Sequence, residues 1–343
     1  MAHRPRLLIT LGDVAGIGPE IVAKAWVALQ DICKPIVVGD VEWVERGTKF
    51  TDHSLIVKPV ESVAAARPSP QVIPVVQATQ ADLRNVKPGQ LSAAAGQAAY
   101  DFLCAAIDAV LAKQADGIVT LPLNKEGLHA AGIKQPGHTE ILAERTGVKE
   151  FGMMLYAPPV KPLKNAIGVV HVTLHMRLRD VFTHITTDAV HEKIRLLDGV
   201  MTKLLPPPQT WQAANRPRLA VAALNPHASD GGIFGDEEAR ILAPAVERAR
   251  DEGIDVTGPI PSDAVFVRAR NGEFDGVVAM IHDHGHIALK LMAGLAAVNV
   301  TLGLPIVRTS VAHGTAYDIA SQGKAREQSL LEAAHVAALL AQS

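Results

Sequence analysis

The sequence predicts an α/β protein built on a largely parallel sheet, and three observations carry this prediction. Short apolar runs of strand length alternate with longer helical patterns along the chain. Hydrophobic residues make up 48% of the 343 residues and charged residues 20%, a balance typical of a folded core and not of a disordered chain. At roughly 150 residues per domain, the length indicates two domains or one large split unit.

The first elements are a strand, a loop and a helix. Residues 7–11 form the apolar run, residues 12–18 the loop, and Pro19 suits the first turn of a helix that continues over residues 21–30. Residues 90–113 predict a long alanine-rich helix whose apolar positions wrap most of its surface, so we expect it to be buried.

Later elements follow the same alternation. A helix over residues 186–205 ends at Pro206, Pro207 and Pro208, and the stretch up to Pro217 is the most linker-like part of the chain. The other predicted strands are residues 36–39, 117–120, 151–156, 166–172, 219–224, 274–281 and 305–308, and the other predicted helices are residues 236–252 and 325–342.

Composition excludes several classes of protein. The net charge of −2 and pI near 6.7 give no basic footprint for nucleic acid, so no nucleic-acid partner is expected. Two cysteines, Cys33 and Cys104, exclude a disulfide scaffold. The apolar run near the N-terminus is too short for a signal peptide, and no membrane partner is indicated. We therefore expect a cytoplasmic protein.

Unusual polar residues follow the predicted strands, where ligands bind in open α/β sheets. The loop GDVAGIGPE lacks the dinucleotide spacing; it is typical either of an anion cradle at a helix start or of a tight structural turn. Lys125 in LPLNKEG would neutralise a phosphate or lie solvated at a helix start. His138 and Thr139 in PGHTE would donate to an anion, although a simple helix cap by Thr139 is the commoner meaning.

Three histidines also follow strands. His175, His227 and His282 would meet around one divalent ion if the fold brings them together, leaving positions open for substrate. No two of them share an HExxH-type spacing, and for each alone a structural hydrogen bond is the commoner role. His171 and His286 lie in apolar runs and suit a core or interface position better.

The last cluster runs from residue 299 to residue 320. Arg308 suits bidentate binding of a carboxylate or phosphate. The stretch HGTAYDIA resembles the adenine-side loop of the isocitrate and isopropylmalate dehydrogenases, which bind NAD(P) without a G-x-G-x-x-G loop. The residues concerned are His313, Gly314, Thr315, Ala316 and Asp318.

Taken together, the chain resembles the 4-hydroxythreonine-4-phosphate dehydrogenase family of pyridoxal phosphate biosynthesis, including its threonate and erythronate 4-phosphate dehydrogenase relatives. The motifs that carry the resemblance are GDVAGIGPE, LNKEG, GHTE, NPHASDGG, HDHGH, NVTLGLP and HGTAYDIA. The resemblance implies an α/β/α sandwich of two subdomains like that of isocitrate dehydrogenase, and a homodimer with shared active sites in the cleft between subdomains. It also implies NAD or NADP and a divalent metal, typically zinc, with magnesium or cobalt as alternatives.

The same resemblance assigns individual residues. His175, His227 and His282 would hold the metal, one of them supplied by the neighbouring subunit, and HGTAYDIA would bind the nucleotide. Lys290 and Asp263 would be the catalytic candidates. The substrate contacts would be His138, Thr139, Lys290, Asn299 and Arg308, with Lys125 as a further contact.

Two positions depart from the family pattern: Val14 stands where proline is usual and His284 where glutamine is usual. We expect a first subdomain of residues 1–135 with 300–343, and a second of residues 136–299 that carries the dimer and metal contacts.

The activity so implied is NAD(P)- and metal-dependent oxidation of 4-hydroxythreonine 4-phosphate to a 3-keto acid that loses CO₂ to give 3-amino-2-oxopropyl phosphate. D-threonate or D-erythronate 4-phosphate, and less closely an aromatic dicarboxylate cis-dihydrodiol, are alternative substrates. Lys125 favours a phosphorylated one. A metal-dependent lyase or phosphatase and a non-catalytic two-lobed binding protein are the alternatives from other classes.

Overall fold

The computed structural model describes residues 4–205 and 216–342, so most of the predicted linker lies outside the described residues. The chain forms two compact units. Unit 1 contains the chain up to Lys149 and again from Leu304, and unit 2 contains Glu150–Gly303. The boundary predicted from the sequence was residue 136. Residues 136–149 belong with unit 1 because their helix packs there, with Arg145 paired to Asp108.

The sheet of unit 1 is parallel throughout its described pairings. Elements are numbered along the chain, and its strands are β1 (Arg6–Thr10), β2 (Lys34–Gly39), β3 (Ile56–Val60), β4 (Val72–Gln77), β5 (Gly117–Thr120) and β12 (Val307–Val311). They lie in the order β3-β4-β2-β1-β5-β12. Because β2 lies on one side of β1 and β5 on the other, the strand order reverses beside β1. Such a switch point opens a crevice at the carboxyl edge of a sheet.

Helices cover both faces of this sheet. They are α1 (Gly18–Ile32), α2 (Val41–Gly47), α3 (Ala93–Leu111), α4 (Lys125–Ala130), α5 (His138–Thr146) and α10 (Gln328–Gln342). α1 connects β1 to β2, and α3 connects β4 to β5 in the opposite direction across the sheet. Because crossovers between parallel strands are right-handed, the two helices cover opposite faces. α1 packs with α2 and α10, whereas α3 packs with α4 and α5.

Helix α3 is long and apolar enough to cross a membrane, and among the described residues it is the one helix of which this is true. Half of that stretch is buried inside the fold, including Phe102, Leu103 and Ile107. The prediction that α3 is buried is confirmed for this face only, since Asp108 and Leu111 are exposed. A single helix of this kind is weak evidence for a membrane span, because the core helix of a soluble protein meets the same criteria of length and composition.

The sheet of unit 2 is mixed. Its strands are β6 (Gly152–Ala157), β7 (Ile167–His171), β8 (Leu219–Ala222), β9 (Val256–Ile260), β10 (Gly276–Ala279) and β11 (Val298–Leu302), in the order β11-β6-β7-β10-β8-β9. β6 runs antiparallel to both of its neighbours, and the strands from β7 to β9 are parallel. The carboxyl ends of β7, β8 and β10 therefore share one edge.

Helices α6 (Thr187–Leu204), α7 (Ala243–Asp251), α8 (Ser262–Arg270) and α9 (His282–Ala293) complete unit 2. α8 and α9 bury an apolar cluster that includes Val169, Phe266 and Leu289. The alternate strand positions Gly168 and Gly276 face α6, where an added Cβ would lie 3.3 Å and 2.9 Å from side-chain atoms of Leu197. Helices α8 and α9 thus cover one face of the sheet, and α6, with α7 packed against it, covers the other.

The predicted α/β class is confirmed, and most predicted elements are found within a few residues of their expected bounds. Strands β3, β4, β9 and β11 and helices α2, α8 and α9 were not predicted from the sequence, whereas the start of α4 at Lys125 agrees with one of the two interpretations of that lysine.

Candidate active site

Three loops meet at the carboxyl edge of the sheet in unit 1, following β1, β5 and β12. The amide of Asp13 donates to Pro122 O at 2.9 Å, and the amide of Ile17 donates to Thr315 O at 3.0 Å. The Tyr317 hydroxyl donates to Asp13 Oδ2 at 2.6 Å. These contacts join the glycine-rich loop, the LPLNKEG loop and the HGTAYDIA segment into one structure.

The glycine-rich loop is a structural turn. Four of its amides have protein acceptors: Asp13 and Ile17 as above, Ala15 on Asp13 Oδ1 at 2.9 Å, and Gly16 on Asp13 O at 3.0 Å. A Cβ at Gly16 would lie 2.7 Å from Thr315 O. Of the two interpretations of this loop, the tight turn is therefore the one that the geometry supports, because these N–H groups do not point at an open anion site.

Burial dominates the electrostatics of this turn. Burial raises the pKa of Asp13, and the hydrogen bonds from Tyr317 and Ala15 offset only part of that shift. Burial also raises the pKa of Tyr317, with the neighbouring Asp13 adding to the effect. In the HGTAYDIA segment, His313 Nδ1 lies 2.9 Å from Gly314 O, and its buried Nε2 has no hydrogen-bond partner among the described residues.

Three positively charged or ionisable side chains form a group in unit 1: Arg308, His138 and Lys125. Arg308 is buried and donates through Nε and Nη2 to Thr120 Oγ1, at 3.2 Å and 2.6 Å. Burial lowers its pKa to about 10, opposed by Glu140. Burial also lowers the pKa of His138, and the charges of Arg308 and Lys125 lower it further, so the three lie within electrostatic reach of one another. Such a group suits an anion.

Thr139 does not cap helix α5, which corrects the cap predicted from the sequence. The helix begins at His138, its N-cap residue is Gly137, and no side chain caps it. Thr139 is in the first turn and is half-buried, beside His138. A Cβ at Gly137 would lie 3.4 Å from Glu140 Oε2 and 3.9 Å from Lys125 Cε, so Lys125 reaches the start of this helix.

In unit 2, four histidines form one cluster at the ends of β7 and β10. The ring centroids of His175 and His282 are 5.6 Å apart. His286 stacks on His282 with centroids 3.8 Å apart, and its Nδ1 lies 3.2 Å from His171 Nε2. The structure thus brings together two of the three predicted metal ligands.

The two buried histidines of this cluster, His171 and His286, are uncharged at neutral pH. Burial, then the neighbouring imidazoles, lower the pKa of His171 to about 3 and that of His286 to about 4. Sequence reasoning placed these two in the core, which their burial confirms, but it missed their contact with His282. The four-residue spacing of His282 and His286 on a helix was the available signal.

Gly285 allows helix α9 to approach this cluster. A Cβ there would lie 2.3 Å from His171 Nε2 and 2.7 Å from Val169 Cγ1. No larger residue fits without moving the helix, because the interior is close-packed.

His227 lies apart from that cluster, in a turn over Pro226–Gly232 after β8. It lines a cleft of about 540 Å³ with Asp263, Phe266 and His284, among others. His284 Nδ1 is 3.4 Å from Ser262 Oγ, and burial lowers its pKa. Within residues 4–205 and 216–342, no three His, Cys, Asp or Glu side chains of this chain converge on a single point that would hold a metal ion.

The remaining predicted residues of unit 2 fall on separate elements. Lys290 is exposed on α9, one turn beyond His286, whose pKa its charge helps to lower. Asp263 is exposed in the first turn of α8, and Asn299 is half-buried on β11.

The family model of the pyridoxal phosphate biosynthetic protein PdxA matches residues 31–337 of this chain. The chain belongs to the PdxA family. A PdxA-family relative from Salmonella typhimurium, a D-threonate 4-phosphate dehydrogenase, is 41% identical over 335 residues, which are 97% of this chain and 98% of the relative.

Two further similar proteins are 4-hydroxythreonine-4-phosphate dehydrogenases. A 4-hydroxythreonine-4-phosphate dehydrogenase from Beijerinckia indica is 44% identical over 94% of this chain and 91% of its own length. The crystal structure of 4-hydroxythreonine-4-phosphate dehydrogenase from Klebsiella pneumoniae has 38% identity and a TM-score of 0.85, with both chains fully covered. This PdxA-family chain is therefore an oxidoreductase, and dehydrogenase relatives imply a nicotinamide cofactor.

Proposed function

We propose that this PdxA-family dehydrogenase oxidises a four-carbon 3-hydroxy acid that carries a 4-phosphate, using NAD or NADP and a divalent metal. The group formed by Arg308, His138 and Lys125 carries this proposal. Two hydrogen bonds to Thr120 fix the orientation of this buried arginine, and a planar guanidinium suits a phosphate or carboxylate. A hydrogen bond to the backbone of Leu121 holds the ring of His138, whose lowered pKa keeps it a neutral imidazole, and Thr139 adds a hydroxyl.

The metal would be held by His175 and His282 of one chain with His227 of the partner, which is how three ligands that do not converge within one chain would meet. The donor set fits, because neutral imidazoles are the nitrogen ligands that zinc prefers. His171 and His286 support it by packing against His282. When bound, a divalent metal acts as a Lewis acid on the hydroxyl being oxidised and on the keto acid formed from it.

The reaction balances as follows. The C3–H bond gives its hydride to the nicotinamide, the C3 hydroxyl loses its proton, and the bond from C2 to the carboxylate then breaks to release CO₂. C2 gains a proton in the last step. Lys290 and Asp263, both exposed and ionisable, are our candidates for proton transfer. His313, Gly314, Thr315, Ala316 and Asp318 would contact the nucleotide.

The substituent at C2 separates the two leading substrates. 4-Hydroxythreonine 4-phosphate carries an amine there and would yield 3-amino-2-oxopropyl phosphate. D-Threonate 4-phosphate carries a hydroxyl and would yield dihydroxyacetone phosphate. The family description favours the first substrate, and the name of the Salmonella relative favours the second.

A homodimer would cover an apolar surface of unit 2. Helix α9 exposes Ile287 and Leu291 on successive turns, and Leu295 follows them; Leu291 is 82% exposed. Exposed large apolar side chains at this four-residue spacing are typical of an interaction surface. This surface lies on the helix that begins with His282, consistent with ligands supplied by two subunits.

The test is a substrate panel with both C2 substituents, D-erythronate 4-phosphate and an unphosphorylated cis-dihydrodiol, assayed for nucleotide reduction and CO₂ release together. We expect a phosphorylated acid to give both products in equal amounts. Turnover of the dihydrodiol alone would overturn the phosphate assignment, and product release without nucleotide reduction would indicate a lyase.

His227→Ala tests the metal assignment. Bound zinc and both reaction steps should be lost, whereas NAD(P) affinity should survive because the nucleotide residues belong to unit 1. A variant that keeps its zinc and turns over normally would remove His227 from the ligand set.

A further inference from the structure

The turn that carries His227 has an unusual backbone. Four consecutive non-glycine residues, from His227 to Asp230, have φ between 42° and 68°, and Gly231 continues the run at 69°. L-residues adopt this left-handed region singly and at a cost, because Cβ approaches the backbone oxygen. A run of this length persists only where surrounding contacts over-determine it.

Those contacts converge on one carboxylate. Glu238 is buried and accepts hydrogen bonds from the amides of Leu224 and Asn225 at 2.8 Å and 2.7 Å, and from Asn225 Nδ2 at 3.0 Å. The hydroxyl of Ser229, inside the left-handed run, also donates to it. Glu238 therefore holds both the entrance and the middle of the turn.

An irregular helical turn just before α7 places Glu238 beside the left-handed turn. Residues Glu238–Leu242 form one turn of π-helix that leads into α7. Such turns add a residue to the helical repeat and often occur at functional sites. Although burial opposes ionisation, the hydrogen bonds from Asn225 and Ser229 keep the pKa of Glu238 below its ordinary value, so it is a carboxylate at neutral pH.

We propose that Glu238 is a positioning residue for His227: it fixes the left-handed turn and thereby the direction in which the imidazole is presented. The inference rests on the proposed function for the role of His227 as a metal ligand. It assigns Glu238 no contact with substrate or metal. Partners that orient a ligand in this way affect metal affinity by about 10- to 100-fold.

The decisive variant is Glu238→Gln in the full-length protein, with Glu237→Gln as its matched control. Glu237 is adjacent and half-buried, and it accepts a side-chain hydrogen bond from Asn225 Nδ2. Zinc affinity is measured by competition with a chromogenic chelator. Hydrogen exchange of peptides spanning residues 224–234 reports the turn, and NAD(P) affinity reports the fold.

We expect Glu238→Gln to weaken zinc binding about 10- to 100-fold and to speed exchange across the turn, with NAD(P) affinity changed less than twofold. Glu237→Gln should change none of these. Ala228→Gly, added to Glu238→Gln, should restore part of the zinc affinity, about fivefold, because glycine adopts the left-handed conformation without steric cost. A merely structural role would not be rescued in this way.

Unchanged zinc affinity or unchanged exchange in a folded Glu238→Gln protein overturns the proposal. If that variant loses NAD(P) binding and is therefore misfolded, Ser229→Ala decides in its place: faster exchange with weaker zinc binding supports the proposal, and no change overturns it. Failure of the proposed function is recognised separately, because His227→Ala would then retain zinc while Glu238→Gln still loosens the turn.

Discussion

Arg308 is a buried cation, and we expect its orientation to matter more than its charge. Its guanidinium is fixed by two hydrogen bonds to Thr120 Oγ1. Arg308→Lys keeps the charge and loses the planar pair of donors, so we expect kcat/KM to fall by about 10- to 100-fold, mainly through KM. Steady-state kinetics with the phosphorylated substrate measures this.

The matched control for that prediction is Arg84→Lys, an arginine of the same unit that is paired with Asp82 and whose side chain is 80% exposed. Its kinetics should not change. Equal effects in the two variants, or wild-type kinetics in Arg308→Lys, would remove Arg308 from the substrate site.

Asp13 gives a prediction about pH. Because burial raises its pKa in the folded state, its favourable contribution to stability is complete below the ordinary carboxyl pKa of 3.8 and is lost as pH rises through the folded value. Asp13→Asn accepts and donates hydrogen bonds in the same place without a buried charge. We expect the variant to equal or exceed the wild type at pH 7, by about 1 kcal/mol, and to lose that advantage towards pH 4.

Urea unfolding of wild type and Asp13→Asn between pH 4 and pH 8 checks this. Asp82→Asn is the control: hydrogen bonds with Arg84 lower the pKa of Asp82 to about 2, so its contribution is lost only below pH 3.8 and should not change between pH 4 and pH 8. A wild type that gains stability over Asp13→Asn as pH rises would contradict the assignment.

At the scale of the element, two helix glycines should respond oppositely to alanine. Gly285→Ala forces α9 away from His171 and Val169, which should cost about 1–3 kcal/mol. Gly199 lies on α6 with nothing within 4 Å of an added Cβ, so Gly199→Ala should stabilise by about 0.5–1 kcal/mol. Urea midpoints of the two variants measure both signs, and a neutral Gly285→Ala would mean that α9 is not tightly seated.

How well each element could be predicted depended on how apolar it is. β5, a buried run ending at Thr120, was predicted with its exact bounds, Gly117–Thr120. β3 was missed because IVKPV contains lysine and proline and is largely exposed at the sheet edge. α9 was missed because its first turns, HDHGH, carry histidine and glycine where an apolar stripe was expected.

Some features of the candidate site could likewise be predicted from the sequence, and others could not. His138, Lys125 and Arg308 were identified from the sequence as anion-binding candidates. Their proximity was implied only by the family resemblance and not by the residues themselves, because β12 returns to unit 1 only after the whole of unit 2. The contact of His286 with His282 depends on a helix that was not predicted. The left-handed turn at His227 has no sequence signature, since Ala228 and Asp230 give no warning of it.

At the scale of the whole molecule, the apolar surface on α9 predicts the state of association. Leu291→Asp would place two charges in a symmetric interface, and the dimer should weaken by roughly 100-fold or more. Ile56→Asp is the control, an apolar residue of unit 1 that is 61% exposed. Sedimentation velocity should show monomers for the first variant only; a Leu291→Asp dimer would place the interface elsewhere.

The proposed sharing of metal sites between subunits gives a second prediction about the proposed dimer. We expect chains with His227→Ala and with His282→Ala to be inactive alone, and a mixed dimer to have one intact site if His227 and His282 come from different subunits. We expect up to half of the wild-type activity per mixed dimer after refolding the two together. Mixing His175→Ala with His282→Ala should restore nothing, because these two residues lie side by side in one chain.

The split form of unit 1 has a consequence for how the protein is made. β12 pairs with β5, and α10 packs on both β5 and α1, yet both arrive only after residues 150–303 have left the ribosome. At 5–20 residues per second, this delay is roughly eight to thirty seconds. During it, the emerging chain must keep the apolar flank of β5 and α1 covered by other means, so a nascent chain arrested near residue 303 should bind chaperones that the finished protein does not.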